Sequence, residues 1–97
     1  MTVLSKRRIR EFAREHTDAE GELLLWFAVT NRAAWKDLED VRLHFADADQ
    51  VGRVLIFNIR HNMYRLIVKA DFRAKLIMVK ALLTHREYER GGWKKWC

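Results

Sequence analysis

The chain has 97 residues, 49 % of them hydrophobic and 33 % charged; this suits one globular domain with a modest core and argues against disorder. Nineteen Lys and Arg against thirteen Asp and Glu give a net charge of +6, and a small basic domain expects an anionic partner. The longest apolar run, Leu23 to Val29, has seven residues, well short of the ~20 that a membrane-crossing helix needs. A basic N-terminus (Lys6, Arg7, Arg8, Arg10) is not that of a secretory leader, and the one cysteine, Cys97, allows no internal disulfide, so a reducing, cytoplasmic setting is expected.

Thr2 to Leu4 reads as a short first strand. Ser5 offers an N-cap for a helix through about His16, with Ile9, Phe12 and Ala13 as its apolar stripe. Thr17 and Glu20 have the spacing of a capping box, so a second helix should run to about Arg32. Leu23, Trp26, Phe27 and Thr30 share one face of it, Leu24 and Ala28 flank that face, and the helix should be largely buried. A third short helix starts near Asp37, with Leu38, Val41 and Phe45 inward. After Gly52 the apolar period changes to two. Val54–Ile59, Met63–Phe72 and Leu76–Thr84 read as three strands joined by short turns. Asn62 is the residue expected to turn left-handed in the first of these connections.

Helices first and strands afterwards predict an α+β layer fold. Two N-terminal helices pack on one face of a small antiparallel sheet, a three-stranded meander to which the N-terminal strand could add an edge. Residues 1–97 form a single domain.

The charge is unevenly spread. Residues 1–14 hold five basic residues and one acidic; residues 15–50 hold three and nine; residues 51–97 hold eleven and three. The cationic half is therefore the strand-rich half. In Met63–Phe72, Tyr64, Leu66, Val68 and Ala70 share one face, and Arg65, Ile67, Lys69 and Asp71 share the other. Lys80 joins Arg65 and Lys69 if the register allows, which would make a phosphate-binding surface; a plain solvated face is the alternative. Thr84 and Glu87 have capping-box spacing ahead of a short C-terminal helix. Trp93, Lys94, Lys95 and Trp96 form an aromatic and basic tail, suited to stacking on bases or to docking on the domain's own core. At least one of the two tryptophans should be buried. The four histidines lack metal-binding spacing, so no metal site and no cofactor are expected.

Ile56-Phe57-Asn58-Ile59, then Asn62-Met63-Tyr64-Arg65-Leu66-Ile67-Val68, then Leu83-Thr84-His85-Arg86-Glu87-Tyr88 resemble the HigB toxin family, within the broader RelE/ParE-like group. The family pattern is roughly F-N-[IV]-x-G-N-x-[YF]-R-[LV] followed by T-H-x-E-Y-[DE]. The resemblance extends from about residue 3 to Lys95. The chain departs from it at His61, where glycine is usual, and at Glu89, where aspartate is usual.

The resemblance implies an mRNA interferase, a metal-independent endoribonuclease acting on messages, often on the ribosome, and neutralised by a HigA-type helix-turn-helix antitoxin. The ribose 2′-hydroxyl attacks the adjacent phosphate, which calls for a base, an acid and cations. His85 is the first candidate for acid or base, although it also fits the first turn of a helix. Tyr88, three residues on, could stack a base or donate a proton. Arg65 is placed to hold the scissile phosphate bidentately, or else to pair with a carboxylate such as Asp71. Lys69, Arg73, Lys80, Asn62, Lys94 and Lys95 are candidate RNA contacts. Two other functions remain open: a toxin of this fold that binds a protein target such as gyrase, and a non-catalytic RNA-binding module.

Overall fold

In the computed structural model, which describes residues 1–97, the chain runs β1 (Thr2–Leu4), α1 (Lys6–Glu15), a 3-10 turn (Thr17–Ala19), α2 (Glu20–Arg32), α3 (Leu38–His44), β2 (Asp49–Val51), β3 (Val54–Ile59), β4 (Tyr64–Asp71), β5 (Leu76–Thr84), α4 (His85–Glu89) and a second 3-10 turn (Gly92–Trp96). One mixed sheet holds the five strands in the order β1-β5-β4-β3-β2. β2 to β5 are antiparallel neighbours in chain order, and β1 lies parallel to β5 at the edge. The antiparallel run is thus four strands long rather than three. Asp49–Val51 folds back on Val54–Ile56 through Gly52, whose φ of 58° suits glycine. This strand is exposed throughout, so no alternation of buried residues marks it in the sequence.

Helices and sheet bury one main core. Ile9 and Ala13 of α1, Leu23 and Trp26 of α2 and Val41 of α3 meet Leu55, Phe57, Leu66, Val68, Ile77, Val79 and Leu82 of the sheet. Three helices, not two, share this layer. Aromatic rings lock it: Trp26 meets Phe57 edge-on at 5.4 Å, and Phe45 does so at 5.2 Å. Trp35, from the loop before α3, stacks on Phe57 at 6.3 Å and donates from its indole to His44 Nδ1 at 3.1 Å. α2 is less buried than its apolar run suggested. Leu24 and Leu25 are exposed, because only the stripe of Leu23, Trp26 and Thr30 faces the core.

The other face of the sheet carries a second, smaller cluster: Val54, Ile56 and Ile67 under Trp93, with Ala81, Leu83, Tyr88 and Trp96 packed around them. The C-terminal segment crosses this face. It leaves β5 through α4 and ends with Cys97 against the β2–β3 turn, where a Cβ on Gly52 would lie 3.3 Å from the Cys97 carbonyl carbon.

A β-bulge interrupts the β4–β5 ladder. Ile67 pairs with Ala81 and Val68 with Val79, so Lys80 is the residue left over. The extra residue resets the alternation, and Val79 and Leu82, three apart, both face the helices.

Local chemistry departs from expectation at three turns. Ser5 has φ 72° and makes no side-chain cap; α1 starts without it and is held by Ile9 and Ala13. The Thr17–Glu20 box does not form. Asp18 instead accepts from the Tyr64 hydroxyl, and Ala19 is wholly buried. In the β3–β4 connection the left-handed residues are Arg60 (φ 53°) and His61 (φ 58°), not Asn62. The Glu22 carboxylate, reaching from α2, accepts the Arg60 N–H at 2.7 Å and so fixes that conformation from outside the turn.

Candidate functional site

Arg65 lies near the start of β4, at one end of the face crossed by the C-terminal segment (the strap, residues 85–97), opposite Asn58 on β3 and Leu83 on β5. Its guanidinium carbon sits 5.2 Å from the centroid of the Tyr88 ring, close enough for a cation–π interaction. Nη1 is buried and has no hydrogen-bond partner. The ion pairs of the protein are Arg7–Glu11, Arg42–Asp49 and His85–Glu89; Arg65 belongs to none of them. Asp71, its expected rival, accepts instead from the Ala74 N–H at 2.9 Å.

Tyr88 is positioned by Trp93. The rings stack 5.1 Å apart at an interplanar angle of 4°, and the indole N–H donates to the Tyr88 carbonyl at 3.1 Å. The helix carrying Tyr88 is started by the expected capping box. Thr84 Oγ1 accepts from the Glu87 N–H, and the Glu87 carboxylate accepts from the Thr84 N–H at 2.9 Å. These bonds hold the Glu87 carboxyl below its ordinary value of 4.5; Arg90 and His16 add to the effect, and partial desolvation opposes it.

His85 occupies the first turn of α4. It is exposed, and its Nε2 faces Glu89 Oε1 at 3.4 Å, one helical turn away. Glu89, one of the two residues that depart from the family pattern, is therefore the partner of the imidazole. Arg65 and Tyr88 are brought together; the close contact of His85 is with Glu89 instead.

The other candidates divide among three places. Lys69 and Arg73 line a cleft of about 370 Å³ with Arg53, Asp71, Phe72 and Met78. Lys80 does not join Arg65 and Lys69 in register, because it is the bulged residue: Lys69 pairs with Met78, and the Lys80 carbonyl accepts from Arg8 at 3.1 Å. Asn62 lines a wider cleft of about 500 Å³ at the opposite end of the sheet, with Glu22, Arg60, His61 and Met63. Lys94 and Lys95 are exposed on the strap, their ammonium groups 6.0 Å and 5.0 Å from the rings of Trp93 and Trp96.

Sequence reasoning missed Arg53 and the cluster around Tyr64. Arg53 sits two residues beyond an exposed strand, and only the fold sets it beside Lys69. The Tyr64 hydroxyl bonds both Asp18 oxygens at 3.0 and 3.1 Å, and the His16 ring lies 4.8 Å from the Tyr64 ring. Burial, then the bond to Asp18, raises the Tyr64 phenol above its ordinary value. This cluster ties the start of β4 to the turn before α2.

An α+β domain with a five-stranded mixed sheet, four helices and a cationic sheet face is consistent with a RelE-like fold. A family model described as HigB_toxin, the RelE-like toxic component of a toxin–antitoxin system, matches residues 19–91. The chain belongs to the HigB toxin family, and it is the toxin component of a toxin–antitoxin system with an antitoxin as its partner. A search among curated proteins finds no significant match. No helix is long and apolar enough to cross a membrane.

Proposed function

We propose that this toxin is an endoribonuclease that cuts mRNA, on the ribosome, by attack of the ribose 2′-hydroxyl on the adjacent phosphate, so that the P–O bond to the 5′-oxygen breaks, that oxygen leaves with a proton and a 2′,3′-cyclic phosphate remains, and that a HigA-type helix-turn-helix antitoxin neutralises it in the cytoplasm. The observation that carries this reading is the Arg65 guanidinium. It is fixed over Tyr88 and forms no ion pair with a carboxylate, so its charge is not neutralised within the protein. A phosphate is the ligand that such a planar, permanently charged fork fits best. The toxins of this group are generally ribonucleases.

In this reading Arg65 binds the scissile phosphate and offsets the charge that grows on its oxygens in the transition state. His85 exchanges the proton, with Glu89 orienting the imidazole. Tyr88 acts through its hydroxyl rather than its ring, since Arg65 and Trp93 already pack against that ring. Fixing phosphate and 2′-hydroxyl in line supplies a large part of the acceleration.

The test is induction of the chain in a bacterium, with message 5′ ends mapped against growth. New 5′ ends should appear as growth stops. Growth arrest with intact messages would overturn the proposal and favour a protein target. In the same assay Arg65→Ala and His85→Ala should each abolish cleavage; undiminished cleavage in both would remove the site assignment.

A further inference from the structure

The proposed chemistry uses one end of the cationic sheet face and leaves the other unexplained. At that other end the β2–β3 turn and the β4–β5 hairpin stand side by side, joined by the Ala70 N–H donating to the Arg53 carbonyl at 2.8 Å. Between them lies the cleft of about 370 Å³, where Arg53, Lys69 and Arg73 meet. None of these three cations is in an ion pair. Asp71 is the single carboxylate of the cleft, and its Oδ1 is already engaged by the hairpin backbone. Three cations and one carboxylate line the cleft, with Met78 among its apolar residues.

Such a cleft is built for an anion. Its place in the fold says which kind. Lys69 is four residues from Arg65 on β4 and on the same sheet face, so their Cα atoms are about 13 Å apart. That exceeds the reach of one phosphate group and suits two phosphates of one chain. The sheet between them, at Val54, Ile56 and Ile67, is roofed by Trp93, so a strand joining the two sites would run beside the strap and not across the bare sheet.

We infer that the cleft of Arg53, Lys69 and Arg73 binds a backbone phosphate of single-stranded RNA, a second grip separate from the phosphate at Arg65. The inference rests on the ribonuclease reading for its substrate class. Its role is affinity and register: a phosphate seated here sets which linkage lies over Arg65.

The probe is a 2′-O-methyl RNA oligonucleotide, which lacks the hydroxyl needed for cleavage. Its affinity for the whole chain is read by fluorescence anisotropy over a range of salt. In Arg53→Ala/Arg73→Ala both changed side chains are exposed and the Arg53 carbonyl bond is kept. Binding should weaken, and the slope of log affinity against log salt should flatten by about 0.7, the value for one single-strand phosphate contact. The control is Arg10→Ala/Arg14→Ala on α1, which removes the same charge elsewhere and should keep the wild-type slope. An unchanged slope in the cleft variant overturns the inference. So does an equal flattening in both variants, which would mean net charge alone. Loss of antitoxin binding with RNA binding intact also overturns it, in favour of a protein contact. If the cleft variant behaves as expected while the wild-type chain cuts no RNA, the cleft stands and the ribonuclease reading falls.

Discussion

The Arg65 guanidinium lies over the Tyr88 ring, with Nη1 buried and unpartnered, so its position is set by a planar contact and its charge is left without an ion-pair partner. A lysine here would keep the charge but lose the flat face and the fork. Arg65→Lys is expected to fold normally and to lose cleavage by about 10²–10³ in kcat, the cost of removing one oriented donor set from a developing oxyanion. Single-turnover cleavage of a defined RNA checks this. Glu87 gives a prediction for stability instead. Its folded carboxyl is held below the ordinary value of 4.5, so the charged form is favoured by folding. That stabilisation is fully present above 4.5 and is lost as pH falls through the lower folded value. Glu87→Gln removes it, so the variant should lose less stability than the wild type on acidification below that range. Denaturant melts at a series of pH values measure the difference. The Thr84–Glu87 box was readable in sequence because all its parts lie within four residues. The pairing of Arg65 with Tyr88 was not, because it depends on where α4 lands on β4. The Thr17–Glu20 spacing was equally readable and did not become a cap, since burial of Ala19 and the Tyr64–Asp18 bond took precedence.

Among the elements, the C-terminal strap decides what the second sheet face is. Val54, Ile56 and Ile67 would be apolar side chains in water without Trp93, which is only 5 % exposed. Trp93 also holds Tyr88 by stacking and by its indole N–H. Trp93→Ala should therefore cost about 3–5 kcal/mol of stability, typical of an emptied aromatic site, and reduce cleavage at temperatures where the variant is still folded. Trp93→Phe keeps a ring but loses the N–H bond and should fall between the two in both measurements. Chemical denaturation paired with cleavage assays would expose a failure of either half. Strands β3 and β5 were legible to the residue, because Val54–Ile59 and Leu76–Thr84 are apolar, β-branched runs closed by turn residues. β2 was invisible, being short and exposed on both sides. The tail was legible as aromatic and basic, and one buried tryptophan was expected. What it covers follows from tertiary packing that no local pattern carries.

Across the whole molecule the sheet divides two unlike layers. On one side α1, α2 and α3 bury an aromatic core; on the other a thin strap leaves cations at its margins. Each strand must supply the right side chain to each layer, and β5 does this in two phases. Below the bulge Ile77 and Val79 face the helices; above it Leu82 does, with Ala81 and Leu83 turned to the strap. Lys80 is the residue that separates the phases. A strand of this kind is like a text with one spare letter. Removing Lys80 would leave Val79 and Ala81 adjacent, in plain alternation, with every side chain still in its own layer. Removing Met78 would bring Lys80 opposite Val68 and aim an ammonium group at the aromatic core. The deletion of Lys80 is expected to preserve the near-ultraviolet dichroism of the packed tryptophans, and the deletion of Met78 to abolish it. This strand therefore tolerates the loss of one residue at Lys80 where it tolerates none at Met78.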